Sequence, residues 1–273
     1  MIQIVTTLLA AFLAVSPRIL IPAPAEIISG QETCVLPEQL SYNIVCKADK
    51  AGLASLERYI GASGLASRSL TRGNINIVLG DRKLAKRFSL EKDFVREAAY
   101  CLEITSKSIE IKAITPKGAF YAIQSLRQML YRGRELETCV VTDWPVMRYR
   151  GLMLDISRNF RDKEFIEKQI DAMALLKMDK LHLHLTDDAG WRIQIDSKPR
   201  LTDVAAWRVG ETWSQWVDFG KQYSQKDSPR ASGGYLTKDD VREIVAYAAD
   251  RQIDIIPEFE IPGHSREVLE AYP

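Results

Sequence analysis

Charged side chains follow three apolar runs in the second half of the chain. They are Asp155 with Arg158, Asp187 with Asp188, and Glu258 with Glu260 and His264. Carboxylates and imidazoles are the usual groups of general acid–base catalysis, and a guanidinium offers a rigid fork of N–H donors that suits carboxylates or neighbouring sugar hydroxyls. Their recurrence after apolar segments indicates a polar site, although structural ion pairs such as Arg158 with Asp187 would give the same pattern.

Two histidines in the segment KLHLHLTDDAGWRIQI raise a metal-binding alternative. His182 and His184 are two residues apart, so a β-strand would point both imidazoles to one side. With Asp187 they resemble part of the site of the metal-dependent amidohydrolases, but here the pair lies on the second predicted strand instead of the first. His264 lies in a proline–glycine turn, and Asp187 can pair with Arg158. We therefore expect no metal and no cofactor.

The elements that must position these residues alternate between strand and helix. The segments YRGLMLDIS, KLHLHLTDD and IDIIPEFEIPG have the composition of strands, and FIEKQIDAMALLKM and LTKDDVREIVAYAADRQ have helical periodicity. This order predicts a parallel sheet with covering helices, as in a (β/α) barrel or an open doubly wound sheet, in which sites form at the carboxyl ends of the strands. A complete barrel needs about 250 residues. Residues 149–273 are too few, and the abrupt end favours part of a barrel.

A long polar stretch over residues 200–234 separates the second predicted strand from the next helix. It contains Trp207, Trp213 and Trp216. A loop of this length inside a domain is usually functional or disordered. Its tryptophans could face a sugar or could pin the loop to the barrel, and the sequence does not decide between these.

The first half of the chain reads as a small α+β domain. Strand-like segments SYNIVCKA, NINIVLG and AYCLEITSKSIEIKAI, the last with a turn at residues 105–108, precede the helical segment GAFYAIQSLRQML and a final strand in LETCVVTDWP. We predict an N-terminal α+β domain over residues 26–145 and a second domain over 146–273.

Residues 1–25 have the features of a signal peptide. The apolar run over residues 4–15 is too short to span a bilayer, and Ala23-Pro24-Ala25 offers a cleavage site, but no Lys or Arg precedes the run. A buried strand or helix is the alternative. We expect export to the periplasm or beyond, with no membrane span.

The net charge of +1 argues against a nucleic-acid partner. The four cysteines contain no C-x-x-C, and their disulfide status is open.

Four segments together resemble the β-N-acetylhexosaminidases of glycoside hydrolase family 20. They are ITPKGAFYAIQSLRQML, RGLMLDISRNF, KMDKLHLHLTDDAGWRIQI and GGYLTKDDVREIVAYAADRQIDIIPEFEIPGH, and the likeness covers the chain from about residue 36 onward. The resemblance implies a small α+β domain followed by the opening part of a (β/α)₈ TIM barrel. It also implies removal of terminal N-acetylglucosamine or N-acetylgalactosamine from β-linked oligosaccharides or glycoconjugates. In this family the substrate's own acetamido oxygen attacks the anomeric carbon, an exception to the two-carboxylate retaining scheme.

The resemblance also implies roles for individual residues. Arg158 corresponds to the arginine that holds hydroxyls of the terminal sugar, and Asp187 with His264 corresponds to a network that supports the general acid. Glu258 corresponds to a further acidic residue of the same wall. His182 and His184 would then be strand residues inside the barrel.

The sequence departs from the family in one respect. The family's catalytic aspartate–glutamate pair lies in an H-x-G-G-D-E segment on the fourth strand, and these 273 residues contain no such segment. We expect a truncated chain that is inactive alone. A non-catalytic sugar-binding or structural fragment and a metal-dependent barrel hydrolase remain as alternatives.

Overall fold

Alternating apolar residues in the first half of the chain build one seven-stranded sheet in the computed structural model, which describes residues 16–47, 50–69, 71 and 73–273. The strands are β1 (Glu26–Val35), β2 (Ser41–Cys46), β3 (Ser67–Arg68), β4 (Ile75–Leu79), β5 (Tyr100–Ile104), β6 (Ile109–Ala113) and β7 (Glu135–Asp143). Their order across the sheet is β1-β7-β5-β6-β4-β2-β3. β2, β4 and β6 run parallel, whereas β5 pairs antiparallel with both β6 and β7.

Helices cover the apolar face of this sheet. A 3₁₀ helix (Pro17–Ile19) precedes the sheet, and the helices are α1 (Leu53–Ala62), α2 (Arg82–Arg87), α3 (Asp93–Ala98) and α4 (Pro116–Leu130). α4 starts at Thr115, whose hydroxyl accepts hydrogen bonds from the amides of Lys117 and Gly118, the usual role of an N-cap threonine. Phe120 and Leu126 of this helix are fully buried, which makes α4 the main partner of the sheet.

The second half of the chain forms a three-stranded parallel sheet. Its strands are β8 (Gly151–Asp155), β9 (Lys180–His184) and β14 (Asp254–Glu258), and the connecting helices are α5 (Lys163–Leu175) and α8 (Lys238–Ala249). The order across the sheet is β14-β9-β8. Parallel neighbours require crossover connections, and a helix supplies each one. This sheet is the opening part of a (β/α)₈ barrel.

Residues 200–234 are not a bare loop, contrary to the sequence-based expectation. The segment and its flanks contain the short elements β10 (Thr186–Asp187), β11 (Gly190–Trp191), α6 (Arg200–Asp203), β12 (Trp207–Val209), α7 (Trp213–Asp218) and β13 (Ala231–Gly233), and the chain closes with α9 (Arg266–Ala271). The elements β12 and β13 pair antiparallel. Trp216 is fully buried and packs against Trp213 and Tyr223, so this tryptophan stabilises the segment from within.

The chain folds as two units. Unit 1 comprises the described residues up to Arg148 together with Ala174–Lys177 and Asp250–Gln252, and unit 2 comprises Tyr149–Met173, Met178–Ala249 and Ile253–Pro273. All four cysteines lie among the described residues, and none of them forms a disulfide there. Among the described residues, no helix combines the length and the apolar character needed to span a bilayer. The apolar run of the predicted signal peptide lies outside the described residues.

Candidate active site

The last residues of the three parallel strands of unit 2 lie side by side. Asp155 of β8 pairs in register with His184 of β9, and His184 pairs in register with Glu258 of β14. Side chains at aligned positions of a parallel sheet point to the same face. The strand register therefore brings two carboxylates and one imidazole together at the carboxyl edge of the sheet.

Asp155 turns the chain so that Arg158 folds back over this edge. Its Oδ1 accepts hydrogen bonds from the backbone amides of Ser157 (3.0 Å) and Arg158 (2.9 Å), and its Oδ2 accepts one from Arg158 Nη1 at 2.6 Å. Arg158 Nη2 donates to Oδ2 of the fully buried Asp187 at 2.5 Å. Burial lowers the pKa of Arg158, but the hydrogen bond to Asp155 and the charge of Asp187 raise it overall. The guanidinium is thus fixed in place as a cation, with its side chain 35% exposed.

His184 connects two carboxylates. Its Nε2 lies 3.1 Å from Asp187 Oδ2 and its Nδ1 lies 2.8 Å from Glu258 Oε2. Because both ring nitrogens face carboxylate oxygens, this setting favours the imidazolium, in which both nitrogens carry protons. Burial lowers the pKa of His184, but the hydrogen bonds to Glu258 and Asp187 raise it overall. The bond from His184 in turn lowers the pKa of Glu258.

His182 contacts the same carboxylate from two residues earlier on β9. Its Nε2 lies 2.8 Å from Glu258 Oε2. The chain His182–Glu258–His184–Asp187–Arg158 therefore runs without a break across all three strands. The two histidines face the same side of β9, as the two-residue alternation predicts, and both bond to carboxylates.

His264 approaches the edge from the turn after β14. Its Nδ1 lies 3.5 Å from Asp187 Oδ1, which is buried and accepts no hydrogen bond from the described residues, and its side chain is 55% exposed. The φ angle of His264 is +47°, a left-handed conformation that is uncommon for a residue other than glycine. This turn holds the imidazole at the rim, where a bound molecule can reach it.

An aromatic ring lies beside the arginine. The guanidinium carbon of Arg158 lies 5.6 Å from the ring centroid of Trp213, within the range of a cation–π contact. Trp213 is the first residue of α7, which begins at a capping box formed by Thr212 and Gln215. Within residues 200–234, Trp216 is therefore a buried packing residue, whereas Trp213 places its ring at the site.

Behind this edge lies a buried carboxyl group. Glu267 of α9 is fully buried, and its carboxylate faces the backbone amides of Glu267 and Val268 but bonds to no side chain among the described residues. Burial, reinforced by the charges of Asp188 and Asp187, raises the pKa of Glu267 to about 8. At neutral pH this side chain is mainly a neutral acid.

The structure places the four residues assigned from the sequence at one edge of the sheet. Arg158 and Asp187 are directly paired, Glu258 joins them through His184, and His264 stands 3.5 Å from Asp187. The sequence analysis did not predict that His184 bridges Asp187 and Glu258. The two-residue spacing of His182 and His184, which places both on one side of the strand, was the feature that pointed to it. The contact of Trp213 with Arg158 had no signal in the local sequence.

An arginine, carboxylates and imidazoles gathered at the carboxyl edge of parallel strand–helix repeats are the arrangement in which (β/α) barrels and open doubly wound sheets carry their functional sites. Residues 18–144 match the model for glycosyl hydrolase family 20, domain 2, and residues 147–273 match the model for the catalytic domain of that family. The chain belongs to glycosyl hydrolase family 20.

Relatives and solved structures agree with this assignment. A β-hexosaminidase of Vibrio vulnificus is 39% identical over 171 residues, which cover 62% of this chain and 20% of that protein. A structure of the exo-β-N-acetylglucosaminidase of Vibrio harveyi in complex with N-acetylglucosamine has a TM-score of 0.76 and 30% identity, covering 95% of this chain and 39% of that one. The β-N-acetylhexosaminidase of Bacteroides fragilis has a TM-score of 0.72 and 28% identity, with coverages of 94% and 48%. The chain thus spans less than half the length of each.

Proposed function

We propose that this chain supplies the sugar-binding wall of an exo-acting β-N-acetylhexosaminidase. The enzyme would release terminal N-acetylglucosamine or N-acetylgalactosamine from β-linked oligosaccharides or glycoconjugates, with retention of configuration and with the substrate's acetamido group as the nucleophile. The names of the relatives support this reaction, and the family scheme dispenses with a protein nucleophile.

The observation that carries the proposal is the clamped guanidinium of Arg158. Asp155 and Asp187 each accept one of its N–H groups, which leaves three of its five donors for a ligand. Forked donors fit two adjacent sugar hydroxyls, and the Trp213 ring beside them offers an apolar face. Both carboxylates also hold the guanidinium in one orientation, so little side-chain entropy is lost when a sugar binds.

Asp187 and His264 have a supporting role in this proposal. The buried carboxylate would orient the rim imidazole, and the imidazole would influence the protonation of the general acid. The acid itself and the acetamido-stabilising carboxylate are not assigned to any residue of this chain. Glu258 would act through His184 by keeping that imidazole charged.

The test is hydrolysis of chromogenic glycosides by the longest product of the gene. Release from an N-acetyl-β-glucosaminide and not from the matching β-glucoside is expected, because only the first carries the acetamido nucleophile. Equal cleavage of the two would refute substrate assistance. Saturable sugar binding without cleavage would favour the non-catalytic alternative.

A metal-dependent hydrolase is a second candidate, because two groups of residues have ligand spacing. They are His184 with Glu258 and Glu260, and Asp187 with Asp188 and His264, each with one ligand atom per residue within 4.8 Å of the others. In the first group both ring nitrogens of His184 already face carboxylates. This candidate predicts that a chelator abolishes hydrolysis, whereas the glycosidase proposal predicts no effect.

We also propose that the protein is exported. The apolar run over residues 4–15 and the sequence Ala23-Pro24-Ala25 support this, and β1 begins directly after that sequence, at Glu26. Sequencing of the N-terminus of the mature protein should find Glu26, and a protein that retains Met1 would contradict cleavage.

A further inference from the structure

Unit 2 contains two buried arginines that have no carboxylate partner among the described residues. Arg192 is fully buried and Arg208 is 2% exposed. The hydrogen bonds that their guanidinium groups donate within the described part of the chain go to backbone carbonyls. Burying a cation without an anion carries a large desolvation cost. Mutual repulsion between two such cations increases that cost. Binding of an anion beside them would therefore be electrostatically favourable.

The two arginines differ in the donors they have left. Arg192 donates from Nε, Nη1 and Nη2 to the carbonyls of Ser157, Ala206, Gly234 and Ala189, which uses all five N–H groups. Arg208 donates from Nε to Gly210 and from Nη2 to Glu211, and its buried Nη1 has no hydrogen-bond partner among the described residues. Arg208 therefore has N–H groups free to bind a ligand. Arg192 has none left and can contribute only its positive charge.

These donors border a cavity of about 280 Å³. Ser232 also lines it and stands directly opposite Arg208 in the pairing of β12 with β13, so both side chains point to the same face. Thr212 lines the cavity as well, and its hydroxyl accepts from the Gln215 amide, which leaves its proton for a ligand. Asn159 and Arg161 are exposed at the rim, which gives a ligand a way in.

The backbone at Gly233 leaves room for the Arg192 guanidinium beside this cavity. Gly233 has a φ of +148°, and a Cβ at that position would lie 2.1 Å from the carbonyl oxygen of Ala206 and 3.1 Å from Arg192 Nη1. On another side the guanidinium carbon of Arg192 lies 5.8 Å from the ring centroid of Phe160. Only glycine fits at residue 233, and its fit leaves room for the arginine.

We propose that this cavity binds one small free oxyanion, of the sulfate, phosphate or carboxylate class. The Nη1 and Nη2 donors of Arg208 and the hydroxyl of Ser232 bind its oxygens, and Arg192 neutralises its charge. A planar guanidinium fork matches two oxygens of any of these anions. Burial is the main cause that lowers the pKa of both arginines, and the charge of Asp155 raises both without offsetting it. The lowered pKa values agree with a pair of cations whose charge is only partly neutralised.

Calorimetric titration of the whole chain with sodium sulfate, inorganic phosphate and sodium acetate tests the proposal, in chloride buffers of matched ionic strength. One saturable site is expected. Tighter binding of sulfate than of acetate would indicate a site for a tetrahedral anion, and the reverse order a site for a planar carboxylate. Arg208→Met should weaken binding at least about tenfold, because it removes charged hydrogen bonds. Ser232→Ala, which leaves the buried cations in place and is compatible with folding, should weaken it about threefold. Arg242→Met, at an exposed arginine of α8, should change nothing.

The side chain of Glu211 is the rival occupant, because it also borders the cavity. Glu211→Gln separates the two cases: the proposal predicts equal or tighter sulfate binding, since a like charge is removed from the rim. If sulfate binds only to Glu211→Gln and not to the unaltered chain, the carboxylate fills the cavity and the proposal is wrong. Absence of saturable binding for all three anions, or equal affinity in the Ser232→Ala variant, would also overturn it.

Discussion

Replacing the buried acid Glu267 with glutamine should change how stability depends on pH. The pKa of Glu267 is raised from 4.5 to about 8 by burial, so the folded protein binds this proton more tightly than the unfolded chain does. Unfolding therefore releases the proton between these two pH values, and stability falls as pH rises through that window. At 1.36 kcal/mol per pH unit the full effect is ~5 kcal/mol. A glutamine side chain does not titrate and should escape the whole loss.

Urea unfolding followed by tryptophan fluorescence measures this effect. Four of the five tryptophans lie in unit 2, which also contains Glu267, so the signal reports mainly on that unit. The Glu267→Gln variant should equal the unaltered protein near pH 4.5 and exceed it by several kcal/mol at pH 8.5. The control is Glu270→Gln on the exposed side of the same helix, which should leave the pH dependence unchanged. A Glu267→Gln variant that keeps the original pH dependence would mean that Glu267 is ionised and paired in the folded protein.

Three further substitutions test other parts of the structure by urea unfolding. His184→Asn breaks the bonds to Asp187 and Glu258 and should cost about 3–5 kcal/mol. Because the pKa of His184 is raised above 6.5, this cost should be full below pH 6.5 and shrink as pH rises through the folded value; a cost that grows with pH would refute the imidazolium. Gly233→Ala puts a Cβ 2.1 Å from a carbonyl oxygen and should cost about 2 kcal/mol or more, whereas a neutral effect would contradict the backbone geometry. Thr237→Ala removes the cap of α8 and should cost about 1 kcal/mol, and no loss would show that the cap is dispensable.

Periodicity predicted the strands β2, β4 to β9 and β14 and the helices α4, α5 and α8, and it failed where tertiary contacts decide. The alternation in β5 and β6 and the turn between them were readable, and Thr105 closes that turn with a hydrogen bond to Ser108 at 3.0 Å. The edge strand β1 was missed because its polar, largely exposed residues show no alternation of buried and exposed positions. It is a strand because β7 offers it a hydrogen-bonding edge. The helices α1, α2 and α3 were also missed. In α2 the reason is that it has a single buried residue, Leu84.

For the site, the sequence located the carboxyl edge but not the way its residues are connected. Charged residues directly after apolar runs identified Arg158, Asp187 and Glu258, because parallel strands must deliver such residues to one rim. The link through His184 depends on the relative register of three strands, which alternation within one strand does not contain. The approach of Trp213 to Arg158 depends on the course of the backbone over residues 200–234. A polar segment with little periodicity does not allow that course to be predicted from sequence.

Steady-state kinetics of Arg158 variants in the longest product of the gene tests the central claim most directly. On a chromogenic N-acetyl-β-glucosaminide, Arg158→Ala should lower kcat/KM about a hundredfold, from the loss of two charged hydrogen bonds to the sugar. Arg158→Lys should also lose activity, because it keeps the charge beside Asp187 without the planar fork. Arg242→Ala, on the exposed face of α8, should match the unaltered enzyme. Folded Arg158 variants with unchanged kcat/KM would contradict the account, because the clamped arginine would then have no part in holding the sugar.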